Sequence, residues 1–253
     1  MALAAKSLFL YGFQVGVLNS SLDFKSAALG PVKMATLRLG FYSLSGLGVE
    51  IVRAMNAADP ANSYSVSINR NVSGGLQNRV TISTSGIFLS LLFLTGPRTA
   101  SNCATLIGFN VLDYTGAITY TGASSAGTVL IPDYVGYGYT PPEFDKKVFG
   151  NVNVSASGQK ESVVFAIQQF ITVEFKYEPQ AKVYSEWIGL SDWMILQKPF
   201  EFTPEISDPD TFYSVTLERS SKDGKGLGFM FKELLPKYPN VYTTSAINMR
   251  VTP

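Results

Sequence analysis

Between Val163 and Glu178 apolar and polar side chains alternate for longer than anywhere else in the chain. Val163, Phe165, Ile167, Gln169, Ile171, Val173, Phe175 and Tyr177 fall on one side, and Ala166, Gln168, Thr172, Glu174 and Lys176 mostly on the other. A period of two is the mark of an extended strand with one face toward a core. Such a run exceeds the usual strand length, so a bulge or bend is expected near Gln168-Gln169. A strand this long needs antiparallel neighbours. Tyr213, Val215 and Leu217 alternate in the same way, and Val241 to Thr244 and Ile247 to Val251 read as closing strands. Trp187 to Leu196 is expected to be a short helix with Trp187, Leu190, Trp193 and Met194 toward the core.

The stretch from Lys33 to Phe109 is the best-patterned part of the first half. Lys33 to Ser43 reads as one half-buried strand with Ala35, Leu37, Leu39 and Phe41 on its apolar face. Ser43 or Ser45 caps a helix, Ser45 to Ala58, in which Leu47, Ile51, Ala54 or Met55, and Ala58 share one side. Asp59-Pro60 stops it. Tyr64, Val66 and Ile68 alternate with serines, and Val80 and Ile82 follow a Ser-Gly-Gly turn, which predicts a hairpin. The apolar run Ile87 to Leu94 predicts a strand buried on both faces. Ser101 is placed as the cap of a short helix, Ala104 to Leu106, with Gly108 near its C-cap. Upstream, Leu8 to Val17 and Leu22 to Phe24 read as a hairpin or a pair of edge strands. Downstream, Ile118 to Tyr120 and Thr128 to Ile131 read as short strands, and Tyr134 to Glu143 as an extended linker.

One amphipathic helix among many strand patterns implies an α+β fold, predominantly β. It is expected as a small sheet-plus-helix module followed by an antiparallel β-rich domain. The expected division is 1–32, an N-terminal hairpin or arm; 33–132, the α+β module; 133–145, a linker; and 146–253, the β-rich domain.

Composition narrows function mainly by exclusion. The chain has no His, which removes the usual nucleophile systems and the physiological-pH general base. Cys103 is the only cysteine and sits among apolar residues, so it reads as a buried structural thiol. Charged residues are 15% of the chain, against roughly 25% in an average soluble domain. A surface so poor in charge favours burial against partner subunits. A net charge of +1 gives no reason to expect nucleic acid or an anionic membrane as partner. The N-terminal run MALAAKSLFLYGFQVGVL is broken by Gly12, Gln14 and Gly16, and the chain reads as soluble and unprocessed.

No catalytic, cofactor-binding or metal site is assigned. Gly224 to Gly228 lacks the G-K-[ST] ending of a phosphate loop and reads as a hairpin turn. Glu143 with Asp145, and Asp208 with Asp210, lie in Pro-containing loops and read as turn residues rather than acid/base pairs. Tyr134, Tyr137 and Tyr139 form the candidate interface, as a subunit contact or a sugar-binding platform.

The opening LFLYGFQVGVLNSSLDF resembles the first hairpin of virion proteins from tailed bacteriophages, with its F-x-x-G-x-x-V, N, I-x-F pattern. The unit TLRLGFYS, LGVEIVRAMNAA, YSVSINR, NRVTISTSGIFLSLLF, LIGF resembles a module of phage tail and baseplate proteins. There a strand ending Gly-Tyr/Phe-Tyr-Ser leads to a helix, two further strands and a final LLGF. The likeness covers roughly residues 8 to 120. It implies a non-enzymatic structural component of a tail, baseplate or connector, present in several copies in the virion after assembly in the host cytoplasm. The partners it implies are copies of itself and neighbouring virion proteins, with no small-molecule substrate. The alternatives are a carbohydrate- or receptor-binding β module displayed on a virion and, remotely, a carboxylate-dependent glycosidase.

Overall fold

A computed structural model describes residues 7–70, 78–132, 141–154, 157–176, 178–208, 210–218, 231–235 and 238–252. In chain order the first half runs β1 (Leu8–Tyr11), β2 (Phe13–Val15), β3 (Ser21–Lys25), β4 (Lys33–Thr36), β5 (Gly40–Tyr42), α1 (Leu44–Ala58), β6 (Tyr64–Asn69), β7 (Arg79–Thr84) and β8 (Leu89–Leu92). Next come β9 (Asp113–Ala117), β10 (Thr119–Thr121), β11 (Thr128–Leu130), β12 (Glu143–Val154), β13 (Lys160–Val173) and β14 (Glu178–Pro179). A helical stretch follows, with α2 (Gln180–Lys182), a π turn at Val183–Trp187 and α3 (Ile188–Ile195). The chain ends with β15 (Phe200–Thr203), β16 (Tyr213–Leu217), β17 (Phe231–Leu235), β18 (Tyr238–Thr244) and β19 (Ile247–Val251). The paired strands of the described residues run antiparallel, and strand far outweighs helix, so the fold is α+β and predominantly β.

The chain forms two compact units. The amino-terminal unit is Leu8–Val129 with Pro199–Phe212, and the carboxy-terminal unit is Leu130–Lys198 and Tyr213–Pro253 with Met1–Ser7. The strands of the expected 1–32 arm therefore fold with the α1 module, and residues 143–145 of the expected linker begin β12.

In the amino-terminal unit, α1 forms as its spacing dictates. Leu44, Leu47, Ile51, Ala54 and Met55 recur three and four residues apart and are buried. Ser43 is the N-cap, its hydroxyl accepting from the Gly46 N–H at 3.2 Å. β6 and β7 pair as the expected hairpin, from Tyr64↔Thr84 to Asn69↔Arg79. β3 pairs with β4 and β8, and β8 with β9. All four residues of β8 are buried, whereas Ile87 and Leu94, expected within that strand, lie outside it and are exposed.

Three expectations for this unit are corrected. Leu8–Val17 and Leu22–Phe24 do not pair with each other. Gly12, at φ +100°, splits the first run into two strands, and β1 pairs with β15 while β2 pairs with β5. Lys33 to Ser43 is two strands, because the Arg38 N–H turns to the Glu50 carboxylate at 2.7 Å instead of joining a ladder. Leu39 and Phe41 are consequently exposed. Ser101 lies inside a 3₁₀ turn, Thr99–Ser101, and the next turn, Thr105–Ile107, is preceded by an Asn102 side chain accepting from the Ala104 N–H. Gly108 does end that turn, at φ +77°.

Buried carboxylates tie the unit together. Glu201 accepts from the Ser45 N–H at 2.6 Å, at the start of α1, and from the Arg70 guanidinium at 2.9 Å. Asp23 accepts from both the backbone and the guanidinium of Arg98. Asp59 accepts from the Tyr64 hydroxyl at 2.7 Å and from Asn62 at 2.9 Å, with Lys33 at 3.6 Å. Burial alone raises the Asp59 carboxyl, but hydrogen bonds from Asn62, Tyr64 and Ser26 and the Lys33 charge outweigh it, holding the group at about 2.

The carboxy-terminal unit orders its main strands β16-β19-β13-β12, with a smaller sheet β14-β18-β17. Leu217 pairs with Met249, and Met249 with Ile171, and all three are buried on one side of the sheet. Trp187, Leu190, Trp193 and Met194 are buried as expected, and the helix that carries them starts earlier, through the π turn.

Two outcomes follow from this packing. Ile51→Ala is expected to cost about 2–5 kcal/mol in urea denaturation, and Val49→Ala, on the exposed face of α1, no more than about 0.5 kcal/mol. Because the folded-state pKa of Asp59 is depressed, its contribution to stability is present above about pH 4 and lost as pH falls toward 2. The urea midpoint of the wild-type chain should therefore drop across that window, and Asp59→Asn should shrink the drop.

Candidate functional site

β12 and β13 form a long antiparallel ribbon, in register from Glu143↔Thr172 to Val154↔Lys160. β19 pairs with β13 only at Phe170–Val173. Among the described residues, positions 160–169 of β13 thus have β12 as their sole ladder partner. The register shifts at Phe149/Gly150: Phe149 faces Ala166 and Gly150 faces Val164, which leaves Phe165 as the extra residue of a bulge. The bend expected near Gln168-Gln169 is therefore at Phe165. Gly150 is required there, since a Cβ at that position would stand 2.3 Å from the Val163 carbonyl oxygen.

The bulge also changes which side chains share a face. Before it, Ile171 and Ile167 lie with Phe144, Lys146 and Val148. After it, Val164 takes that face, and Val163 moves to the opposite one with Phe149. The single apolar side expected from Val163 through Tyr177 is thereby corrected: one extra residue shifts the alternation by one. The first face continues the buried side of the sheet. Ile171 is fully buried, while Ile167 is 66% and Val148 60% exposed. Val164, Phe165, Val154, Phe149 and Val163 are exposed as well.

Charge on the ribbon is sparse and divided. Lys146 and Lys160 lie on the face of Ile167 and Val148, whereas Glu143, Asp145 and Lys147 lie on the other. Lys147 sits 4.4 Å from the centre of the Phe170 ring, so its charge is spent partly within its own face. At the base, the Phe144 and Tyr213 rings are 5.5 Å apart.

Other candidates fare differently. Tyr134, Tyr137 and Tyr139, and the Gly224–Gly228 turn, fall outside the described residues. Glu143 and Asp145 stand in strand β12 and not in a loop, exposed. Asp208 accepts from the Thr211 hydroxyl at 2.7 Å, the turn-supporting role expected of it. Cys103 is buried, and burial pushes its thiol up to about 12. No group of three His, Cys, Asp or Glu side chains converges on a metal position among the described residues. An apolar groove of about 310 Å³ lies beside α1, lined by Val49, Val52, Val66 and Ile68. Arg70 on its wall is held by Glu201 and stacks 3.6 Å from the Phe212 ring centre.

The sequence-based reading missed β12 altogether. Its signal was Val148, Val152 and Val154 at even spacing, obscured by the charged run Asp145-Lys146-Lys147 and by Pro141-Pro142 just upstream. Compared with known families and with curated proteins, the chain matches no family model and no curated relative.

The ribbon's own integrity is testable through its glycine. Gly150→Val is expected to speed amide hydrogen exchange across 143–150 by about tenfold or more, leaving α1 protected. Unchanged exchange would show that the close approach at the bulge is not obligatory.

Proposed function

We propose that this chain is a non-enzymatic structural component of a phage tail or baseplate, working through contacts among several copies and with neighbouring virion proteins. The observation that carries this reading is the β12–β13 ribbon. It leaves large apolar side chains exposed on both faces, while one of those faces continues the buried side of its own sheet. Monomeric soluble proteins seldom expose contiguous apolar surface of this kind, and where they do it marks an interaction site. The low charge content supports the same reading, because a chain destined for burial between subunits needs little charged surface. The likeness of residues 8 to 120 to tail and baseplate modules supplies the setting, a virion.

The test is to quantify the chain by mass spectrometry in purified particles of the phage that encodes it, beside its behaviour alone in solution. Several copies per particle, with concentration-dependent association of the isolated chain, is the expected result. Absence from particles would overturn the reading.

A further inference from the structure

The ribbon's dimensions and charge pattern specify how copies of the chain would meet. Twelve residues of β12 extend for about 40 Å, and two strands span about 10 Å, so each face offers roughly 400 Å². A standard protein interface takes about 800 Å² from each partner. A single face-to-face contact takes about half of that from each partner, and a copy inside a repeating stack buries about 800 Å² over its two contacts. Both faces carry exposed apolar side chains: Val148, Ile167 and Val164 on one, Phe149 and Val163 on the other. A two-stranded hairpin bare on both sides is also marginal in water, so its stability improves only when both faces are covered.

Charge then distinguishes a symmetric pair from a repeating stack. A two-fold dimer that buried the Ile167 face against itself would set two faces carrying Lys146 and Lys160 against each other and leave Phe149 and Val163 in water. Packing the Ile167 face of one ribbon on the Phe149 face of the next sets Lys146 and Lys160 against a face on which Glu143 and Asp145 outnumber Lys147. It also buries the apolar side chains of both faces. The chain's net charge of +1 puts little repulsion between successive copies.

We infer that the β12–β13 ribbon is a head-to-tail self-association element. Its Ile167/Val148 face packs on the Phe149/Val163 face of a second copy, and the contact repeats to give a closed ring or an open stack. A heterologous contact generates those two outcomes and no others. This rests on the proposed multi-copy role and adds to it the surface, the partner and the polarity of the contact.

The experiment is native mass spectrometry on the full-length chain and two exposed-site variants, Ile167→Asp and Phe149→Asp, with circular dichroism and thermal unfolding to verify that each remains folded. Wild type is expected to form assemblies of three or more copies, and each variant alone to be monomeric. An equimolar mixture of the two variants is expected to give a 1:1 heterodimer, because each retains the face the other has lost. A milder pair, Lys146→Glu and Asp145→Lys, should each weaken assembly about tenfold or more and recover it when mixed. A monomeric wild type, a homodimer of Phe149→Asp, or no heterodimer on mixing would overturn the inference. A wild type that is monomeric in solution yet multi-copy in particles would sink this contact and leave the virion role standing. Ribbon-dependent assembly by a chain absent from particles would do the reverse.

Discussion

Only three residues of β13, Phe170–Thr172, have a ladder partner on either side, and among the described residues positions 160–169 have β12 alone. That limit governs the carboxy-terminal unit. Where β19 is present, Ile171 and Val173 are buried and the sheet has an ordinary core. Where it ends, the same alternation continues into solvent, and Ile167 and Val164 stand on a surface with nothing from the described chain over them. The apolar residues were not placed there by local folding need, since a solvent-facing ribbon is better served by Thr, Lys and Glu. They fit a ribbon whose environment is completed by another molecule.

The amino-terminal unit is anchored in a different way. Its segments are distant in sequence, and buried carboxylates join them at the backbone as well as at side chains. Glu201, carried on β15, meets the first turn of α1 and the Arg70 guanidinium. Glu50, on α1, accepts from the Arg53 side chain and the Arg38 N–H, which hold its carboxyl below the usual range although burial opposes them. A buried carboxylate is stabilising only while such partners persist. The unit is therefore held by a few specific polar contacts inside an otherwise aromatic and aliphatic core, exemplified by the 5.1 Å approach of the Phe9 and Phe202 rings.

Much of the fold was legible where a pattern is local. α1 announced itself by three- and four-residue spacing between Ser43 and Asp59-Pro60, and the β6–β7 hairpin by its period of two. What was not legible depended on distant residues. The break after Thr36 is made by Glu50, the position of the bulge by Gly150 on the partner strand, and the pairing of β1 by β15, which lies far along the chain. The candidate site was half visible. β13 was recognised as a strand, but the partner that turns it into a ribbon was hidden behind charge and proline, and an alternation count carries no information about where the third strand stops.

Completion of the ribbon by neighbouring copies, as proposed, is read directly by hydrogen exchange. Amides of 143–154 and 160–169 should exchange fast in the dilute chain and become strongly protected in the assembled state, while those of α1 change little. Equal exchange of the ribbon amides in both states would contradict it.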